Sequence, residues 1–398
     1  MRVSSDLLRT VFMNALSDAQ QRLAKTQEQV STGQRVNSPS DDPAAAARIA
    51  QLNATLSRLD QFKSNADFAT NQLGLEENAL TSAVDNLQQI RELTVQANNA
   101  PLTDTDRAAI ADELRQRLAA LQSVANSTDV DGRHLFAGYN ESATPFTVGP
   151  GGNVVYNGDQ GQRSVQVSET RFIAINDSGA DVFQRIPTGN GTFTLAADDA
   201  NTGSGVLGAG TVVDQTAWVP DNYTITFLTP TTYEVRDGAS ALVASGTYTA
   251  GQAISFRGVA VPIDGAPAAG DKFTVAPSSS RDIFATVSSL IDALDTPASS
   301  DAARTSLQNK LGQALADIDQ ATNHVIAVRS DVGSRSKALD DETSLGADFK
   351  VQLTTTLSNI RDLDYADALT KLSQQQLGLQ AAEQAFAQTQ GLTLFRFL

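Results

Sequence analysis

Apolar residues recur at every seventh position over two long, proline-free stretches, and this limits the possible folds more than any other feature of the chain. The longer series is Leu311, Ile318, Val325, Val332 and Leu339, resumed in phase after Gly346 by Leu353 and Ile360. The other is Leu52, Leu59, Ala66, Leu73, Leu80 and Leu87, accompanied by Phe62, Ala69, Ala83 and Ile90. A seven-residue repeat lays a narrow apolar seam along one side of an α-helix, and a seam needs a facing helix. The 12 prolines all fall from Pro39 to Pro297, and none lies in 44–100 or in 298–398. A helix from Ala44 to Asn98 would run about 80 Å at about 1.5 Å per residue, which is the scale of a coiled-coil rod.

Each series is cut off from a shorter terminal one by a break in phase. Near the start, Leu16, Leu23 and Val30 stand seven apart, with Ala19 and Thr26 between them. Gly33 stops that helix, and Pro39 and Pro43 forbid helix across the next stretch because neither has an amide donor. Asp41 or Asp42 can cap the helix that follows, with Pro43 in its first turn. Near the end, Arg361-Asp-Leu-Asp364 interrupts the repeat, and a new series runs through Tyr365, Leu372, Leu379 and Phe386. The two breaks mirror each other. The simplest arrangement pairs the terminal segments, places both chain ends together and puts the middle of the chain at the far end.

That middle reads differently. Asn98, Asn99 and Pro101 end the first long helix, and Thr103 with Asp106 has capping-box spacing for a second, carrying Ile110, Leu114, Leu118, Leu121 and Val124. Asp131-Gly-Arg-His-Leu-Phe-Ala-Gly138 reads as a turn and a short strand. Asn153 to Tyr156, then Asn157-Gly158, then Val165 and Val167, reads as a β-hairpin. Between 141 and 280 lie 18 of the 27 glycines and the single tryptophan, Trp218. Period-two alternation is clear in Tyr223-Thr-Ile225-Thr-Phe227 and in Val259-Ala-Val261-Pro-Ile263, and Asp237-Gly238 supplies a turn. Helix returns at Arg281, with Ile283, Phe284, Val287, Leu290 and Leu294 on one face, and stops at Pro297.

The expected fold class is therefore multidomain and mainly α: a long coiled-coil helical rod formed by both chain ends, with a β-hairpin region and an inserted β-rich domain. The segments are 1–40 with 362–398 as terminal helices, 41–184 with 281–361 as the rod with its hairpin, and 185–280 as the β insert.

Composition excludes several kinds of function. Aromatic residues make up 6% of the chain and hydrophobic residues 41%, thin for one large globular core but sufficient for narrow helices. A net charge of -16 argues against nucleic acid or an anionic membrane as partner. There is no cysteine, so thiolate chemistry and disulfides are absent. No run approaches the roughly 20 apolar residues of a membrane span. Asp6, Arg9, Asn14 and Asp18 occupy the place of a signal peptide's apolar core, so the chain is expected to be cytosolic or to leave the cell without a cleaved signal.

Chemical motifs are weak. Gly203-Ser-Gly205-Val-Leu-Gly208 matches a dinucleotide fingerprint literally, but it follows a polar stretch and opens no helix. Ser127, Asp129, Asp131 and Gly132 begin a calcium-loop pattern whose twelfth position is Gly138 where a glutamate is required, so a tight turn is the better reading. His134 and His324 stand in unrelated segments, and Asp41-Asp42 and Asp362/Asp364 read as caps and joint solvation. No catalytic, cofactor or metal site is expected, and nothing calls for an enzyme. The candidate site is the terminal seam, Leu16, Leu23 and Val30 facing Leu372, Leu379 and Phe386. Such a seam can be satisfied within the chain or between copies in a helical tube.

The stretch Val30-Ser-Thr-Gly-Gln-Arg-Val-Asn-Ser-Pro-Ser-Asp-Asp-Pro-Ala44 resembles the N-terminal signature of the bacterial flagellin superfamily. The helix through Leu372 and Phe386, with the ending Leu394-Phe-Arg-Phe-Leu398, is similar to its C-terminal partner. The opening Met1-Arg-Val-Ser-Ser5, the motif Gly132-Arg-His-Leu-Phe-Ala-Gly138 and Gly265-Ala-Pro-Ala-Ala-Gly-Asp-Lys-Phe273 favour the hook–filament junction members over filament flagellin. His134 stands where an aromatic residue is expected. The resemblance implies an extracellular structural subunit of the bacterial flagellum, exported by the flagellar type III apparatus and assembled as a homo-oligomeric ring. It implies the first hook–filament junction protein and flagellin as neighbours, terminal segments disordered in the free monomer, and an export chaperone on the C-terminal segment. The alternatives are filament flagellin itself and, from another class, a secreted adhesin or enzyme using the β insert.

Overall fold

Long helices account for both ends of the chain, and strands for most of its middle. The computed structural model describes residues 5–99, 102–150 and 152–394. The opening residues Met1 to Ser4, the Pro101 expected to end the first long helix, and the ending Phe395 to Leu398 lie outside the described residues. The helices are α1 (Ser5–Thr32), α2 (Pro43–Asn99), α3 (Asp104–Ala125), α4 (Ile283–Asp295), α5 (Asp301–Arg361) and α6 (Tyr365–Leu394). Their ends are where the sequence signals place them. Thr103 and Asp106 form a reciprocal capping box on α3, and the Asp282 carboxylate accepts the Ala285 N–H to cap α4. The two phase breaks separate α1 from α2 and α5 from α6.

The chain divides into two compact units, 1–64 with 341–398 and 65–340. The division falls inside α2 and α5 rather than at the joints that the phase breaks suggest. A backbone helix crosses a boundary between packing partners without interruption, so a break in phase marks a helix end and not the edge of a unit. In the first unit α1 packs on α6, and Lys350 of α5 pairs with Asp60 of α2 at 2.5 Å.

The second unit is organised by the heptad seams. Leu73, Leu80 and Leu87 of α2 and Leu311, Ile318, Val325, Val332 and Leu339 of α5 are all buried, and they share one core with Ile110, Leu114 and Leu121 of α3 and with the apolar face of α4. Phe136, Phe146, Phe183 and Phe284 join it as an aromatic cluster with ring separations of 5.1 to 6.1 Å.

The region after α3 differs from its expected pairing. Strand β1 (Phe146–Val148) pairs with β2 (Val154–Tyr156), and β3 (Ser164–Gln166) pairs with β4 (Phe172–Ala174), all antiparallel. The hairpin read between 153–156 and 165–167 does not form. The cause is Asp159. Its carboxylate accepts the N–H groups of Tyr139 and Gly161, and its own N–H reaches the Ala137 carbonyl, so the chain after Tyr156 is held on residues 137–139 instead of turning back. The short strand expected within 131–138 is also absent. His134 makes a single bridge to Thr128, and Leu135, Phe136 and Ala137 are buried consecutively rather than alternately.

A π-helical turn (Ala180–Gln184) and β5 (Ile186–Pro187) lead into the insert, and β15 (Ser280–Arg281) pairs with β5 where the chain leaves it. Between them stand β6 (Phe193–Ala197), β7 (Val206–Leu207), β8 (Thr211–Val212), β9 (Tyr223–Thr229), β10 (Thr232–Arg236), β11 (Leu242–Thr247), β12 (Ala253–Phe256), β13 (Val259–Asp264) and β14 (Lys272–Pro277). One sheet runs β11-β10-β9-β14-β6. A second runs β12-β13-β7, with β8 also on β13. The alternation read in 223–227 and 259–263 is realised as buried Tyr223, Ile225, Phe227, Val259, Val261 and Ile263, packed around Phe273.

The glycines at 203–208 have a structural explanation. The buried Asp271 carboxylate accepts the N–H groups of Thr202, Gly203 and Ala268, which fixes the loop that enters β7. The suspected calcium loop is likewise a turn: Asp129 accepts the N–H groups of Asp131 and Arg133.

Candidate assembly interface

The first unit brings together the stretches that the sequence separates most widely. Gly33 ends α1 with φ of +69°, a left-handed conformation that costs a residue with a β-carbon about 1–2 kcal/mol. From there the chain runs beside the break after α5. Leu363 donates its N–H to Gly33 O at 2.9 Å, Arg35 donates to Arg361 O at 2.7 Å, and Gln34 and Asp362 form an antiparallel bridge. The Arg35 guanidinium adds a bond to Ile360 O at 2.7 Å. Each joint thus supplies backbone partners for the other, and Val36 is buried there.

The acidic residues of the joints order the backbone. Asp41 accepts the N–H groups of Asn37 and Ser38 and pairs with Lys25 at 2.9 Å. The hydrogen bond from Lys25, followed by that from the Ser38 amide, holds its carboxyl at about 2. Asp42 caps α2 through the Ala45 N–H at 3.0 Å, and that bond, with Arg35 assisting, holds Asp42 below the usual carboxylate range. Asp362 is lowered by the Ser358 hydroxyl and then by Arg361, and Asp364 caps α6 through the N–H groups of Ala366 and Asp367.

Helices α1 and α6 pack on each other, and Phe12 meets Phe386 with ring centroids 6.1 Å apart. Leu16, Leu23, Val30, Leu372, Leu379 and Phe386 all lie in this unit, and every one is half-buried. The seam is therefore neither largely exposed, as a free terminal segment would leave it, nor closed. Other apolar side chains of the same helices stay in solvent: Leu7 is 61% exposed, and Val11, Met13, Leu369 and Leu377 are also exposed. Leu345, Phe349 and Val351 near the end of α5 are exposed as well. Sequence reading missed this second set because it followed only the seven-residue phase. The i, i+4 pair Leu345 and Phe349 was the available signal.

Residues 3–141 match the bacterial flagellin N-terminal helical region, residues 315–398 the bacterial flagellin C-terminal helical region, and residues 166–277 the D3 domain of flagellar hook-associated protein 1. Flagellar hook-associated protein 3 of Salmonella typhimurium is 27% identical over all of this chain and 99% of its own length. The crystal structure of FlgL from Legionella pneumophila, a flagellar junction protein, is 33% identical, covers 79% of this chain and 100% of its own, and superposes with a TM-score of 0.73. FlgL from Xanthomonas campestris is 38% identical over 77% of this chain and 99% of its own, with a TM-score of 0.72.

The chain belongs to the flagellar hook-associated protein 3 (FlgL) family.

Membership in the hook-associated protein 3 family makes it a structural component of the extracellular flagellum, at the junction of hook and filament. The filament-flagellin reading accounts only for the two ends, since the flagellin regions stop at 141 and resume at 315. Family membership also gives the joints their context. The signature at 30–44 covers the end of α1, its joint and the cap of α2, which together build one half of the paired joint.

Proposed function

We propose that this chain assembles through α1 and α6 into a homo-oligomeric ring, seated between the first hook–filament junction protein and flagellin, and that it carries no catalytic role. The observation behind this reading is the incomplete burial of the α1–α6 seam. Two helices alone cannot cover Leu7, Val11, Met13, Leu369 and Leu377 together with their shared face. Neighbouring copies offer the same surfaces, and a head-to-tail contact between them repeats around a ring.

On the same reading the chain leaves the cell by the flagellar type III apparatus, and an export chaperone shields the C-terminal helix before assembly. Helices whose apolar faces await partners fold on association, so α1 and α6 exchange amide hydrogens quickly in dilute monomer and slowly in the flagellum.

Immunogold electron microscopy of isolated flagella tests the assignment. Label confined to the hook–filament boundary supports it. Label along the filament, or long filaments formed by the purified chain alone, would instead make it a filament subunit.

A further inference from the structure

The second heptad series of α2 has a gap. Phe62, Ala69, Ala83 and Ile90 step by seven except at position 76, which is glutamate. Glu76 is only 1% exposed, among the buried residues of α2. One of its oxygens, Oε1, accepts the Asp177 N–H at 2.9 Å. The other, Oε2, is buried with no hydrogen-bond partner. The charged groups facing it come from the two elements packed on it. Asp177 stands in the segment after β4, and Arg335 comes from α5. Arg335 is already committed, since its guanidinium pairs with the Asp177 carboxylate and also donates to Ala174 O. Gln162 satisfies the other Asp177 oxygen at 2.8 Å.

These charges do not balance if Glu76 is ionised, because the buried Glu76 and the partly exposed Asp177 would then share one guanidinium. A buried charge without its own partner is costly, whereas a carboxylic acid keeps an acceptor for the Asp177 N–H and carries no net charge.

We propose that Glu76 is a proton-operated clamp: as a neutral acid it holds residues 175–178 between α2 and α5, and its ionisation loosens that contact. Burial first, and the Asp177 carboxylate second, push Glu76 up to about 8. The sign follows from linkage. The folded value lies above the ordinary 4.5, so the contribution is complete below 4.5 and is lost as pH rises toward about 8. A polar residue in an apolar seam also selects one alignment of the helices, and here it ties that alignment to the segment leading into the π-helical turn.

The test uses the full chain labelled with carboxyl-13C glutamate and titrated from about pH 4 to about pH 10. One resonance, absent in E76Q, should titrate above pH 7. In parallel, protection of the Asp177 amide, corrected for intrinsic exchange, should fall several-fold over the same interval in the unsubstituted chain and stay level in E76Q. If E76Q fails to fold, Asp177→Asn serves instead. Removing the second carboxylate should lower the Glu76 midpoint. A Glu76 resonance that titrates in the ordinary glutamate range overturns the proposal. So does Asp177 protection that is constant with pH in the unsubstituted chain.

Discussion

Tyr365 lies so close over Gly33 that a β-carbon on Gly33 would sit 2.8 Å from the tyrosine Oη. The first residue of the last helix thus rests on the residue that ends the first helix. The contact accompanies the backbone bridge between Gly33, Arg35, Arg361 and Leu363, so the two joints form one object built from opposite ends of the chain.

Gly33→Ala should weaken that object by about 1–2 kcal/mol, since alanine must adopt a left-handed φ and also displace the tyrosine ring. Hydrogen exchange at residues 33–35 and 361–363 should accelerate, while the second unit keeps its melting temperature. Unchanged protection at both joints would mean that the bridge does not depend on this turn.

Acid should loosen the N-terminal joint in a defined window. Asp41 is depressed from 3.8 to about 2, so its contribution is complete above 3.8 and is lost as pH falls through about 2. Because the hydrogen bond from Lys25 is the leading cause, Lys25→Met should narrow this window and Asp41→Asn should abolish it. The readout is amide exchange at Asn37 and Ser38, whose N–H groups Asp41 accepts.

Two leucine truncations should separate assembly from folding. Leu73 of α2 is fully buried, and Leu73→Ala should cost about 2–5 kcal/mol of the second unit's stability. Leu379 is half-buried on α6, so Leu379→Ala should leave the melting of the second unit almost unchanged. The loss should appear at the junction instead, as filaments shed from cells under shear. Normal filament retention together with a large drop in monomer melting temperature would place Leu379 in a self-contained core and refute the assembly reading of the seam.

One buried asparagine of α5 helps to hold the insert. Asn309 accepts the Leu207 N–H at 2.8 Å and donates to Gly205 O at 3.0 Å. Asn309→Ala should cost about 1–3 kcal/mol through the unpaired groups it leaves, and should deprotect residues 205–207 first. Replacing 188–279 with a short Gly-Ser linker preserves the β5–β15 pair and should leave junction assembly at least partly intact. Complete loss of filament attachment, with normal folding and export, would show that the insert is required.

Much of this architecture was written in local signals. Heptad spacing marked α2 and α5, a threonine and an aspartate three residues apart marked the start of α3, and two breaks in phase marked the joints. Alternation at 223–227 and 259–263 marked strands β9 and β13. These patterns are readable because an apolar face has the same period as the element that carries it.

What a residue pairs with across a long sequence gap is not periodic, and there the structure decided. The hairpin after α3 was misread because Asp159 fixes the chain through Tyr139 and Gly161, contacts that a turn motif such as Asn157-Gly158 does not encode. The glutamate at position 76 departs from its series in plain view, yet only Asp177 and Arg335 make it a charge problem. The sequence alone determined which segments are helix, where they stop and which family they resemble, because capping, proline placement and seam spacing act over a few residues. Only the tertiary structure determined that the two joints bridge each other and that the terminal seam stays half-covered, because both depend on backbone groups and surfaces brought together from opposite ends of the chain.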